Sequence, residues 1–164
     1  MVLLIQSQTL PFNPPGAEPV LNLSQIWEAL LLKCRKPEDF LAPISGSEVL
    51  EETDTLIRRS VTFKSGMGPP GGKSREDIDL RKPWKADFRN LDNGSFISNI
   101  VSQGQDERDL HLTFYFEWPF PNIEAGSAEE KETSDQLWNR AKESVQSTID
   151  HTRTLVKEGK VGTA

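Results

Sequence analysis

Two spacings of apolar residues divide the chain into its expected elements. The period of two is plainest over 110–118, where Leu110, Leu112, Phe114, Phe116 and Trp118 alternate with His111, Thr113, Tyr115 and Glu117. Successive side chains of a strand point to opposite faces, so this segment predicts a strand covered on one side only, as in an antiparallel sheet. Weaker strand patterns occupy 2–10, 47–52, 56–63, 75–80, 84–91 and 96–102, with Thr53-Asp54 and Asp92-Asn93-Gly94 marking hairpins. A sheet of about seven strands is therefore expected.

The helical period appears twice. Asn22 and Gln25 have the spacing of a capping box, and Ile26, Trp27, Leu30, Leu31 and Cys34 then recur as one apolar face. Pro37 to Phe40 predicts one further helical turn, ended by Pro43. From 128 to 158 the chain has no Pro or Gly, with Ser127 and Glu130 as a capping box and Gly159 as the stop. Such a helix is roughly 45 Å long. Trp138, Ala141, Val145, Thr148, Ile149, Thr152 and Val156 fall on one side of its wheel, a thin stripe that leaves room beside it.

Strand, helix, short helix, six strands and long helix is an α+β order, because no helix separates the central strands. It predicts an antiparallel sheet gripping the C-terminal helix, with a cavity between them for a small hydrophobic organic ligand. A chain of 164 residues suits one domain. The net charge of −6 argues against nucleic acid, whose binding rests on Lys and Arg neutralising phosphates. Met1-Val-Leu-Leu-Ile5 has no basic residue before its short apolar run, so it reads as strand rather than signal peptide; a cytoplasmic location without membrane insertion is expected. Cys34 is the sole cysteine, which excludes an internal disulfide and a cysteine-based zinc site.

Three polar residues are candidates for chemistry. Arg59 shares a strand face with Ile57, Val61 and Phe63; turned inward it needs a carboxylate or an anionic ligand, and otherwise it sits at the rim or pairs with Glu51. Asn99 is a hydrogen-bond donor to a carbonyl if Ile97, Asn99 and Val101 face inward, but Phe96, Ser98 and Ile100 fit that face equally well. Glu51 is a candidate general base, provided burial raises its pKa. Trp84, Trp118 and Trp138 lie on apolar faces, as core or as aromatic walls alongside Phe114, Phe116, Val145, Thr148 and Thr152.

Other constellations are weaker. His111 and His151 read as solvent-facing, and two histidines are too few for an ordinary metal site, so neither metal nor cofactor is expected. The run from Gly66 to Ser74 resembles a phosphate loop, but Met67 stands where Walker A needs Gly and Pro69 and Pro70 remove backbone donors. A hairpin loop acting as a gate is the simpler reading.

Several separated blocks carry a resemblance: Leu21-Asn-Leu-Ser-Gln-Ile-Trp-Glu-Ala-Leu-Leu-Leu-Lys33, Glu48-Val-Leu-Glu-Glu52, Ser98-Asn-Ile-Val101, the strand from Asp109 to Trp118, and Ser144-Val-Gln-Ser-Thr-Ile-Asp150. Together they resemble the AtaL-like family of the START and birch-pollen-allergen superfamily. The resemblance implies the helix-grip fold, a seven-stranded curved antiparallel sheet around a long C-terminal helix, with two short helices after the first strand. It also implies a place in natural-product biosynthesis, since fungal members are often encoded among such genes and the superfamily includes polyketide cyclases, isomerases and ligand carriers. Two functions are thus expected: a cofactor-independent cyclase or isomerase acting on an unsaturated, polyketide-like intermediate, or a non-catalytic carrier of an apolar metabolite or lipid.

Overall fold

The computed structural model describes residues 1–162. Its elements are β1 (Val2–Pro11), α1 (Leu23–Arg35), a 3-10 turn at Pro37–Asp39, β2 (Ile44–Glu52), β3 (Leu56–Phe63), β4 (Lys73–Arg81), β5 (Lys85–Asn90), β6 (Phe96–Gln103), β7 (Leu110–Phe120) and α2 (Ala128–Lys157). The strands form one antiparallel sheet in the order β1-β7-β6-β5-β4-β3-β2. The curved sheet and long C-terminal helix are the helix-grip arrangement. Trp84 starts no strand: it lies in the turn before β5.

Pairing across the sheet settles which residues face the helices. Asn99 stands opposite Phe114 on β7 and Ala86 on β5, while Ile97 stands opposite Phe116 and Phe88. Directly opposed residues share a face, so Ile97, Asn99 and Val101 are the inward set. Ser98 points to the other side, donating to Asp87 at 2.6 Å. On β3 and β4 the same rule turns Ile57, Arg59 and Val61 inward opposite Ile78, Glu76 and Ser74.

The edge strand β2 behaves differently. Val49 is opposite Arg59 but Glu51 is opposite Arg58, so one extra residue bulges between them and reverses the side-chain phase. Glu51 thereby lands on the outer face.

Both helices begin as their sequences direct. Asn22 Oδ1 accepts from the Gln25 amide and Gln25 Oε1 from the Asn22 amide, both at 2.9 Å, which completes the capping box. At α2 the Ser127 hydroxyl accepts from the Glu130 amide, but the Glu130 carboxylate accepts from Gly126 rather than from Ser127.

The 30 residues of α2 bury Leu137, Ala141, Val145, Thr148, Ile149, Thr152 and Leu155. Ala141, Val145 and Ile149 join the main core with Leu30, Ile78, Phe88, Leu112, Phe114 and Phe116. The stripe takes in Leu137 and Leu155 and leaves out Trp138, while Val156 packs half-buried against the core. One residue turns a helix by 100°, which carries Trp138 to the flank, where it is 45% exposed beneath the Lys142 ammonium. The Thr148 and Thr152 hydroxyls donate back to the carbonyls of Ser144 and Thr148, so these residues present methyl groups to the core.

Candidate functional site

The last turn of α1 meets the inner face of the sheet at a cluster of charge. Lys33 and Arg59 are 4% and 3% exposed, Glu76 is 9% exposed and Asn99 1%. Buried groups of this kind are tolerable only when paired.

Arg59 is fully committed within the protein. Its Nε and Nη2 hold Glu76 Oε2 at 2.8 and 2.7 Å, and its Nη1 donates to the backbone carbonyls of Lys33 and Cys34 at 3.0 and 2.8 Å. Those carbonyls belong to the last turn of α1, which has no intrahelical donors for them. A cation at this end also complements the helix dipole. Arg59 and Glu76 thus act as a buried clamp that fixes the end of α1.

The clamp sets the position of Lys33. Its ammonium donates to Asn99 Oδ1 at 2.9 Å and stands 4.8 Å from the Phe114 ring centre and 5.0 Å from that of Phe88. Burial lowers Lys33 from the ordinary lysine value of 10.5 to about 8, with the Arg59 charge adding to the fall and the Glu76 charge opposing it. Burial also pushes the Cys34 thiol up, which keeps it protonated near neutral pH. Two buried side-chain atoms have no partner among the described residues, Ser74 Oγ and Asn99 Nδ2. The site therefore combines an amine able to exchange a proton near neutral pH, an amide donor with no acceptor, and two aromatic faces.

The family model described as acetylaranotin biosynthesis cluster protein L, AtaL, matches residues 6–159, nearly the whole chain. The chain belongs to the AtaL family. An AtaL protein of that description from Aspergillus terreus is 24% identical over 153 residues, covering 92% of this chain and 88% of the relative. Among solved structures, the Zhui aromatase/cyclase from Streptomyces superposes with a TM-score of 0.70 at 12% identity, covering 94% of this chain and 96% of that one. The di-domain ARO/CYC StfQ of the steffimycin biosynthetic pathway gives 0.67 at 8% identity; 96% of this chain corresponds to 52% of that one. A Thermus thermophilus protein gives 0.60 at 11% identity, covering 92% and 97%. At these identities the structural likeness establishes that this AtaL chain has their fold.

Within this AtaL domain the candidate residues separate. Arg59 and Asn99 lie together inside, and Phe114, Phe116, Val145, Thr148 and Thr152 are buried on the same side of the sheet. Trp118 is half-buried, stacked on Phe116 at 4.5 Å. Glu51 is exposed and pairs with Arg58 at 3.1 Å, because the β2 bulge turned it outward. It is no buried base. Trp84 and Trp138 are 39% and 45% exposed, so neither walls an interior site. His111 bonds Asp109 at 2.6 Å, and His151 packs edge-on against Phe40 at 4.5 Å rather than facing solvent alone.

Besides Phe88, the site residues that sequence reasoning passed over are Lys33 and Glu76. Both carried a signal. Lys33 follows Ile26 by seven positions and Leu30 by three, in phase with the buried face of α1, and Glu76 alternates with Ile78 and Leu80. A cleft of about 510 Å³ lies between the flank of α1 and the β4–β5 turn, lined by Leu23, Trp27, Leu31, Lys82 and Pro83 among others and by no residue of the buried cluster. Trp27 lines this cleft and also packs in the main core. Among the described residues no helix is long and apolar enough to cross a bilayer.

Proposed function

We propose that this chain is one ligand-binding domain of natural-product biosynthesis, a cofactor-independent cyclase or isomerase for an unsaturated, polyketide-like intermediate. The convergence of Lys33 and Asn99 against Phe88 and Phe114 carries this reading. A carrier of apolar metabolites is served by an apolar lining, and a buried amine paired only to an amide is a costly thing to keep for packing. The family description supports a place in biosynthesis, and the aromatase/cyclases that share the fold support a ring-closing reaction.

In this mechanism the substrate lies against the aromatic faces of Phe88 and Phe114. Asn99 Nδ2 donates to one carbonyl oxygen. Lys33, neutral in part near pH 8, takes a proton from the carbon between two carbonyls, and the resulting enolate attacks a second carbonyl to close the ring. The ammonium returns the proton to the new alkoxide. Arg59 and Glu76 are positioning residues that hold α1. Fixing a flexible chain in a reactive conformer supplies most of the rate gain.

The test is a synthetic poly-β-carbonyl chain incubated with the protein, with products resolved by chromatography. The expected result is one ring-closure product formed faster than in buffer, with that gain lost in Asn99→Leu. A product mixture and rate equal to buffer alone would overturn the catalytic reading, and retained binding without turnover would establish the carrier.

A further inference from the structure

The buried polar cluster does not balance. Lys33, Arg59 and Glu76 are the charged side chains buried among the described residues, two cations against one carboxylate. Both guanidinium nitrogens that meet Glu76, Nε and Nη2, use the same oxygen, Oε2, and the Nη1 contacts go to neutral carbonyls. Glu76 is thus spent on Arg59. Lys33 is left with a neutral amide oxygen and two aromatic faces, which are weak acceptors beside a carboxylate.

The donors do not balance either. Asn99 spends its oxygen on Lys33, and its Nδ2, on a side chain that is 1% exposed, has no acceptor. A missing negative charge and a missing acceptor therefore fall on two bonded neighbours. A single anionic oxygen placed between them corrects both. The Lys33 ammonium lies over the rings of Phe88 and Phe114, aromatic faces that suit a flat conjugated skeleton.

We propose that the ligand of this site carries an acidic hydroxyl on a flat conjugated frame, an enol or a phenol, held as its oxyanion between Lys33 Nζ and Asn99 Nδ2. This rests on the reading of the cluster as the ligand site and names the chemistry it selects. A neutral ketone supplies an acceptor to Asn99 but leaves the ammonium uncompensated. An ether supplies neither the charge nor a good acceptor. Binding releases one proton: the hydroxyl O–H breaks, the oxygen keeps the electron pair and faces the Lys33 ammonium, and the proton passes to bulk water. No oxidant or further reactant is required.

The test uses beta-naphthol, its methyl ether and beta-naphthoate as probes, titrated into the intact chain by calorimetry, with absorbance recorded on the bound state. The expected results are a naphtholate spectrum for bound beta-naphthol and an affinity about tenfold or more above that of the ether, from a charge-assisted hydrogen bond. That advantage is lost in Lys33→Met, checked for folding by circular dichroism, while the ether binds the variant as before. Equal affinity for naphthol and ether, or bound naphthol that absorbs as the neutral phenol, would overturn the oxyanion while leaving a small-molecule site standing. Tighter binding of naphthoate would reassign the site to carboxylates and overturn the enol or phenol. Binding of none of the three would overturn both this inference and the ligand-site reading beneath it.

Discussion

Lys33 shows how one residue can be costly to the fold and useful to the site. Its proton affinity is lowered on folding, so the unfolded chain holds the proton more tightly than the native one. Stability therefore rises with pH between about 8 and 10.5, and below about 8 the charged amine costs the fold about 3 kcal/mol in full. Urea unfolding at pH 7, 8 and 9 is expected to show that rise in the native sequence and its loss in Lys33→Met. Glu76 matters as the only carboxylate among the described residues that meets the buried Arg59 guanidinium. Glu76→Gln strands the Arg59 guanidinium without its anion and is expected to cost about 3–5 kcal/mol in the same measurement. The phase of each residue was legible, since both fall on apolar faces by simple spacing. Their burial was not, because a charge is tolerated inside only through a partner far away in sequence.

At the scale of elements, α1 matters because it delivers Lys33, and its start and end are held by different means. Asn22→Ala removes half of the capping box and is expected to lower stability by about 1 kcal/mol in urea unfolding. The far end depends on Arg59, so Arg59→Lys cannot substitute: one ammonium cannot reach Glu76 and two helix carbonyls together. The β2 bulge gives a complementary prediction. Glu51→Ala is expected to leave ring closure of the poly-β-carbonyl chain and the unfolding midpoint unchanged, since Glu51 meets only Arg58 on the outer face. Strand existence was readable for β2 from its composition. The bulge was not, since a single extra residue leaves no mark in a period of two until the partner strand fixes the register.

For the molecule as a whole, a ligand that fits the Lys33–Asn99 site couples binding to folding. At a free concentration of about 100 times its Kd it is expected to stabilise the chain by about 2.7 kcal/mol, read as a shift in the urea midpoint. Asn99→Leu is expected to abolish that shift.

The order of elements, the capped helices and the α+β class followed from the sequence alone, because periodicity, caps and turn residues act over a few positions. The resemblance over separated blocks extended this to the helix-grip fold. Tertiary structure alone decided that Asn99 faces inward, that Glu51 does not, and that Arg59 clamps α1 rather than standing free. It also brought Lys33, Arg59, Glu76 and Asn99 together from one helix and three strands. The physical reason is that a local pattern states which residues share a face, whereas the cost of burying a charge is settled only by the partners that distant strands bring to it.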